Sequence, residues 1–127
     1  MTKRPRSLAV VGSVFIAVGV LGILKDVWPL FTPNAAHQLE VLRADGWADL
    51  GPAWTSRFLA LIGGVFILAG ANWARWLLVI WMAIHIVISA LHSTTQVIAH
   101  TAIFAGIAYV LFRQPASLFF RARAAAR

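Results

Sequence analysis

The sequence predicts an all-α protein, a polytopic membrane bundle of four helices, and three observations carry that prediction. The chain has 127 residues, 61% hydrophobic and only 12% charged, half the share of about 25% charged residues usual in soluble domains. Its mean hydropathy is +0.81, and the apolar residues come in long blocks. From Trp76 to Phe112 there is no Asp, Glu, Lys or Arg. As one helix that run would extend about 55 Å, whereas a bilayer core is about 30 Å thick, so it must fold into two spans. The length accommodates a single integral membrane domain over residues 1–127.

The first helix is expected from Ser7 to Leu24. The basic start followed by an apolar run resembles a signal peptide. The run is longer than the usual apolar region of about 7–15 residues, and no A-x-A site follows it, so an uncleaved span is expected. Ala9, Ser13 and Ala17 fall four apart, with Gly12, Gly19 and Gly22 nearby. Small residues at this spacing let helix backbones approach in lipid, where hydrophobicity offers no drive for association.

Residues Lys25 to Gly51 read as the outer loop between helices one and two. Thr32 and Pro33 look like an N-cap and first helical residue, and Gly46 like a stop, with Leu39, Val41 and Leu42 giving the intervening three turns a modest apolar side. Trp28, Trp47 and Trp54 flank this segment. Indole rings favour the headgroup zone, so the segment is expected to lie along the membrane surface.

The second helix is expected from Pro52 to Asn72, with Arg57 reaching back to the surface and Ala60 and Gly64 forming another small-xxx-small pair. Asn72-Trp73-Ala74-Arg75-Trp76 then makes a tight inner turn, two tryptophans bracketing one arginine. The third helix runs from Trp76 to Leu91 and the fourth from Gln96 to Phe112, bent apart at His92–Gln96. Pro115 cannot continue the helical ladder. The basic tail, Arg113 to Arg127, holds Phe119, Phe120, Arg121 and Arg123 and could form a short helix against anionic lipids.

Charge sets the expected orientation. With the N-terminus inside, the inner segments hold Lys3, Arg4, Arg6, Arg75, Arg113, Arg121, Arg123 and Arg127 and no acid; the outer side holds Lys25, Arg43 and Arg57 and all four acids, Asp26, Glu40, Asp45 and Asp49. That bias predicts a bacterial inner-membrane protein with both termini cytoplasmic. It also accounts for the net charge of +7 without a nucleic-acid partner, for which no motif is present. With no cysteine, disulfides, zinc–thiolate sites and iron–sulfur clusters are excluded.

The residues that could carry chemistry are histidines. His85, Ser89 and His92 are spaced i, i+4, i+7 on one face of the third helix, and Trp81 extends that face. With the bend outside, His92 lies at the outer interface and His85 about 10 Å deeper, with His100 between them in depth and Gln96 one turn before it. Ionisable residues at depth tend to face the bundle interior and mark sites or pathways. His85, His92 and His100 are therefore the candidate cofactor-binding residues. They could ligate a b-type haem, hold copper or zinc, hydrogen-bond a quinone, or relay protons. His85, Ser89, His92 and His100 could equally bond to one another or to backbone carbonyls as interhelical glue. His37, three residues before Glu40, reads as half of an exposed helical pair. No nucleotide-binding, metalloprotease or serine-hydrolase motif is present, and no acid lies inside a span, as proton-coupled cation exporters require.

The run Gly70-Ala71-Asn72-Trp73-Ala74-Arg75-Trp76-Leu77-Leu78, continued through Trp81, His85 and Ser89 to His92-Ser93, resembles small, uncharacterised four-helix bacterial inner-membrane proteins with a G-x-N-W-A-R-W-L-L turn followed by membrane histidines. In size the chain is also distantly similar to the DoxX-like membrane proteins. The resemblance implies topology and no activity. The expected function is therefore that of a small accessory, assembly or structural membrane protein without its own catalysis, joining a larger complex or self-associating. A histidine-liganded redox protein is the first alternative, and a small transporter or channel with a histidine-lined path the second.

Overall fold

A computed structural model describes residues 3–91 and 93–126, and their side chains except at positions 38, 42 and 45–50. The expected positions of His92 and Arg127, and the Trp47 side chain, lie outside the described residues. The protein is all-helical, with no strand among the described residues. Its elements are α1 (Arg6–Val27), a short 3-10 turn (Trp28–Phe31), α2 (Ala35–Ala69), α3 (Asn72–Ala90), α4 (Thr94–Phe112) and α5 (Gln114–Ala125). Four segments are long and apolar enough to cross a membrane: Arg6–Phe31, Gly51–Ala69, Asn72–Ala90 and Thr94–Phe112.

The first two helices meet through glycine. Leu8, Gly12, Phe15 and Gly19 are the buried residues of α1, the i, i+4, i+7, i+11 stripe of one helical face. Ser13 and Ala17 are exposed, so the small-residue face expected at Ala9, Ser13 and Ala17 is displaced onto the glycines. A side chain at Gly64 would stand 2.7 Å from the carbonyl oxygen of Gly12 and 2.9 Å from the amide nitrogen of Ile16. One at Gly19 would meet the carbonyl of Arg57 at 2.9 Å. The expected Ala60–Gly64 pair is buried. At the far end of the same contact Arg57 forms an ion pair with Asp26, the one ion pair among the described residues.

The connection between α1 and α2 is shorter than expected, because both helices run into it. Asn34, not Thr32, precedes the first turn of α2. The Thr32 hydroxyl instead donates to the Pro29 carbonyl at 2.7 Å and closes the 3-10 turn. Gly46 does not stop the helix, and Pro52 lies inside it. Proline lacks one backbone donor and costs about 3 kcal/mol in a helix interior, but the apolar span that follows and the helix-forming residues before it carry the helix through. At 35 residues α2 is about 52 Å long, so its first half, up to the span that begins at Gly51, extends the helix beyond a single membrane crossing.

A single residue makes the turn into α3. Gly70 has φ +80°, the left-handed conformation that only glycine adopts without steric cost, and its amide closes back on the Ile67 carbonyl at 3.0 Å. The helix therefore restarts at Asn72, and Trp73 and Arg75, expected in the turn, lie in its first turns. The connection into α4 is likewise short: α3 ends at Ala90 and α4 begins at Thr94. Trp73 and Trp76 stand half-exposed at this end and Trp28 at the other, the positions interfacial tryptophans take.

The tail turns back onto the bundle. Pro115 sits in the first turn of α5, where a missing amide costs nothing. Ala116, Phe119 and Phe120 are buried, joining Leu8, Ile67, Ala71, Ala74, Leu78 and Leu111 in the core. The two phenylalanines therefore face protein, while Arg121 and Arg123 remain exposed. Arg75 lies over the rings of Phe112 and Phe120, 4.8 and 5.4 Å from their centroids, and donates to the Ser117 hydroxyl at 3.4 Å. Arg113 donates to the hydroxyl of Ser7 at 2.7 Å, joining residues 106 positions apart.

Candidate functional site

A cluster of polar side chains lies between α3 and α4. His85 lies five residues before the end of α3 at Ala90, about 8 Å from that end, and His100 six residues into α4, about 9 Å from its start at Thr94. A short connection between antiparallel helices brings these depths level. The two imidazoles meet edge to face, centroids 5.7 Å apart, and Trp81 stacks on the other side of His85 at 5.2 Å. Trp81 in turn meets Phe15 of α1 at 6.3 Å.

Ser89 ties the two helices. Its side chain is 5% exposed. The hydroxyl donates to the His85 carbonyl at 2.8 Å, the back-bond typical of serine in a helix. Its oxygen lies 3.0 Å from His100 Nδ1, and Nδ1 is 2.8 Å from the Gln96 carbonyl oxygen. A carbonyl only accepts, so Nδ1 carries the proton. The serine proton is already committed to His85, so Nδ1–H is shared between the Gln96 carbonyl and the Ser89 oxygen. A neutral imidazole protonated at Nδ1 has a bare lone pair at Nε2. Among the described residues, no hydrogen bond reaches the ring nitrogens of His85.

A cavity of about 330 Å³ opens beside this cluster, at the lower end of the range of roughly 300–1,000 Å³ for small-molecule sites. Its walls are Val14, Phe15 and Val18 of α1, Trp81, Met82 and His85 of α3, and His100, Ile103 and Ile107 of α4. Apart from the two imidazoles and the Trp81 indole the lining is hydrocarbon or thioether.

Of the three expected histidines, the structure brings His85 and His100 together, and His92 lies outside the described residues. His37 is exposed on α2 and does not line the cavity. No group of three or more His, Cys, Asp or Glu side chains that could hold a metal ion occurs among the described residues. The sequence placed Ser89 and Trp81 on the His85 face. The Ser89–His100 bond and the bond to the Gln96 carbonyl are among the contacts the glue reading allowed; the α1 wall was not foreseen, because Val14, Phe15 and Val18 are ordinary apolar residues of a spanning helix. No family model, curated protein or solved structure matches the chain.

Proposed function

We propose that this chain is a small multi-pass protein of a bacterial inner membrane, both termini cytoplasmic, acting as an accessory or assembly component without catalysis of its own. One observation carries the reading: the buried Ser89 side chain of α3 is bonded across to His100 of α4. Hydrogen bonds of this kind hold membrane helices together, Nδ1 of His100 is held further by the Gln96 carbonyl, and among the described residues no Asp or Glu lines the adjoining cavity, where a catalytic carboxylate would stand. The orientation rests on the eight basic residues of the inner segments against three outside, which also leaves Arg121 and Arg123 beside an anionic leaflet. The resemblance in the Gly70–Leu78 turn favours the same topology.

The test is purification from native membranes in a mild detergent, with a reporter fused after Arg127. Co-migration with a larger complex or as a homo-oligomer, and a cytoplasmic reporter, are expected. A strictly monomeric, partnerless protein would overturn the accessory role, and a periplasmic reporter the orientation.

A second reading, a histidine-liganded redox protein, is favoured by one feature, the cavity on which both His85 and His100 border. A Soret band or bound copper that disappears in His85→Ala would support it; a colourless, metal-free preparation that also fails to bind a quinone would end it.

A further inference from the structure

We propose that the cavity between α1, α3 and α4 is a binding site for an uncharged lipid whose head carries a free hydroxyl group. The inference goes beyond the accessory role and does not depend on it.

With both imidazoles neutral, no group among the described residues of the site carries a charge to pair with a charged ligand, so the ligand is uncharged. The walls hold no Lys, Arg, Asp or Glu, and an unpaired ion in an apolar medium is far too costly to bind. A phospholipid headgroup is excluded on the same ground.

The hydroxyl follows from the direction of the hydrogen bonds. His100 Nδ1–H is held by the Gln96 carbonyl and Ser89, so the ring can offer the cavity only the Nε2 lone pair. An acceptor left without a donor in a dry site costs free energy, and a head that carries only carbonyl or ether oxygens cannot supply one. His85, whose ring has no hydrogen bond among the described residues, provides one donor and one acceptor in its neutral form. The pair together therefore presents two acceptors and one donor. A hydroxyl answers both imidazoles, since it donates to one and accepts from the other.

The tail direction follows from the depth of the walls. The polar end lies about 9 Å inside the α4 start, and the wall continues from His100 to Ile107, seven residues or about 10 Å further along the helix. Beyond the imidazoles the surface is Val14, Phe15, Ile103 and Ile107. The head thus sits at the histidine end, with the first part of an apolar tail running toward the bilayer middle. Aromatic quinols and aliphatic alcohols such as diacylglycerols share this chemistry.

The experiment is isothermal titration of the full chain in phosphatidylcholine nanodiscs, a bilayer without hydroxyl groups, corrected with protein-free discs. The probes are a short-tailed benzoquinol, its O-dimethyl ether, and dioctanoylglycerol. Saturable one-to-one binding of the quinol or the glycerol is expected, with the dimethyl ether weaker by about tenfold or more. Binding of the quinol alone identifies a ring head, and binding of the glycerol alone an aliphatic one. His100→Leu should abolish binding but also removes the Ser89 link. Val14→Trp therefore serves as the second variant: Val14 is 53% exposed, so the indole fills the cavity from its rim without entering the core, and a loss of about tenfold or more is expected. Failure of both hydroxyl probes to bind, an ether that binds as well as the quinol, or a Val14→Trp protein that binds as native would each overturn the proposal.

Discussion

Two pairs of helices in this bundle are held together by different means. Helices α1 and α2 touch backbone to backbone: at Gly64 and Gly19 there is no room for even a methyl group. Helices α3 and α4 are joined by side chains, a serine bonded to a histidine and two imidazoles packed edge to face. The first pair resembles the close glycine crossings of membrane helices, whose attraction is packing. The second leaves space, and the cavity occupies it. At Gly106 of α4 an added Cβ would meet nothing within 4 Å, the opposite of every glycine buried in the α1–α2 contact. In one small protein, then, the same residue type is a structural necessity on one pair of helices and dispensable on the other.

Four substitutions test that contrast. Gly64→Leu should have the largest effect, because the groups it would strike, the Gly12 carbonyl and the Ile16 amide, are backbone and cannot move aside as a side chain would. A loss of about 3 kcal/mol, read as a fall in the thermal midpoint by circular dichroism in detergent, is expected; a native midpoint would show that the crossing is not tight. Arg75→Ala removes the contacts with Phe112, Phe120 and Ser117 and should cost about 2 kcal/mol. Limited proteolysis should then cut within residues 114–125, which the native protein protects.

Gly106→Ala should shift stability in the other direction, by about 1 kcal/mol, since alanine is the better helix former and the site is open. A loss of stability in the native membrane, or a change in oligomeric state, would instead reveal that a neighbour covers this face. Ser89→Ala should give the smallest change, about 0.6 kcal/mol, the average for hydrogen bonds between membrane helices. It leaves His100 bonded to the Gln96 carbonyl alone, so nitrogen chemical shifts of the His100 ring should still report a proton on Nδ1. A switch to Nε2–H would mean that Ser89, not Gln96, sets the tautomer.

How much of this was legible depended on what kind of information each feature needed. The spans were legible because apolar length is a local property: the uncharged run Trp76–Phe112 had to fold in two. Their ends were less so. Gly46 and Pro52 are strong punctuation in soluble helices, yet α2 passes through both, because the span after them and the helix formers before them outweigh two poor residues. The Trp73–Trp76 region reads as a loop by its interfacial chemistry, but Gly70 with its positive φ completes the turn by itself. The tail helix was foreseen, while the burial of Phe119 and Phe120 required knowing that the bundle end offered them a surface. On α1, Ala9, Ser13 and Ala17 form as regular a stripe as the glycines; the contact chose the glycines because only they let a carbonyl of the other helix come within van der Waals reach. In the site, the shared face of His85 and Ser89 follows from helical spacing. The Ser89–His100 bond does not, since it depends on the rotation of α4 about its own axis.

The bond from Arg113 to Ser7 sets an order in time. Ribosomes add about 5–20 residues per second, so a first helix that needs a partner 106 positions downstream waits roughly 5–20 s for it. During that interval Leu8 and Ser7 have no cover from the chain's own tail. Helix α1 must therefore exist first as a lone helix, then as half of the glycine pair once α2 arrives, and the closing of its N-terminal end by residues after Phe112 is the final event of assembly. A chain cut short before Arg113 would keep every spanning segment and still lack the piece that joins its beginning to its end.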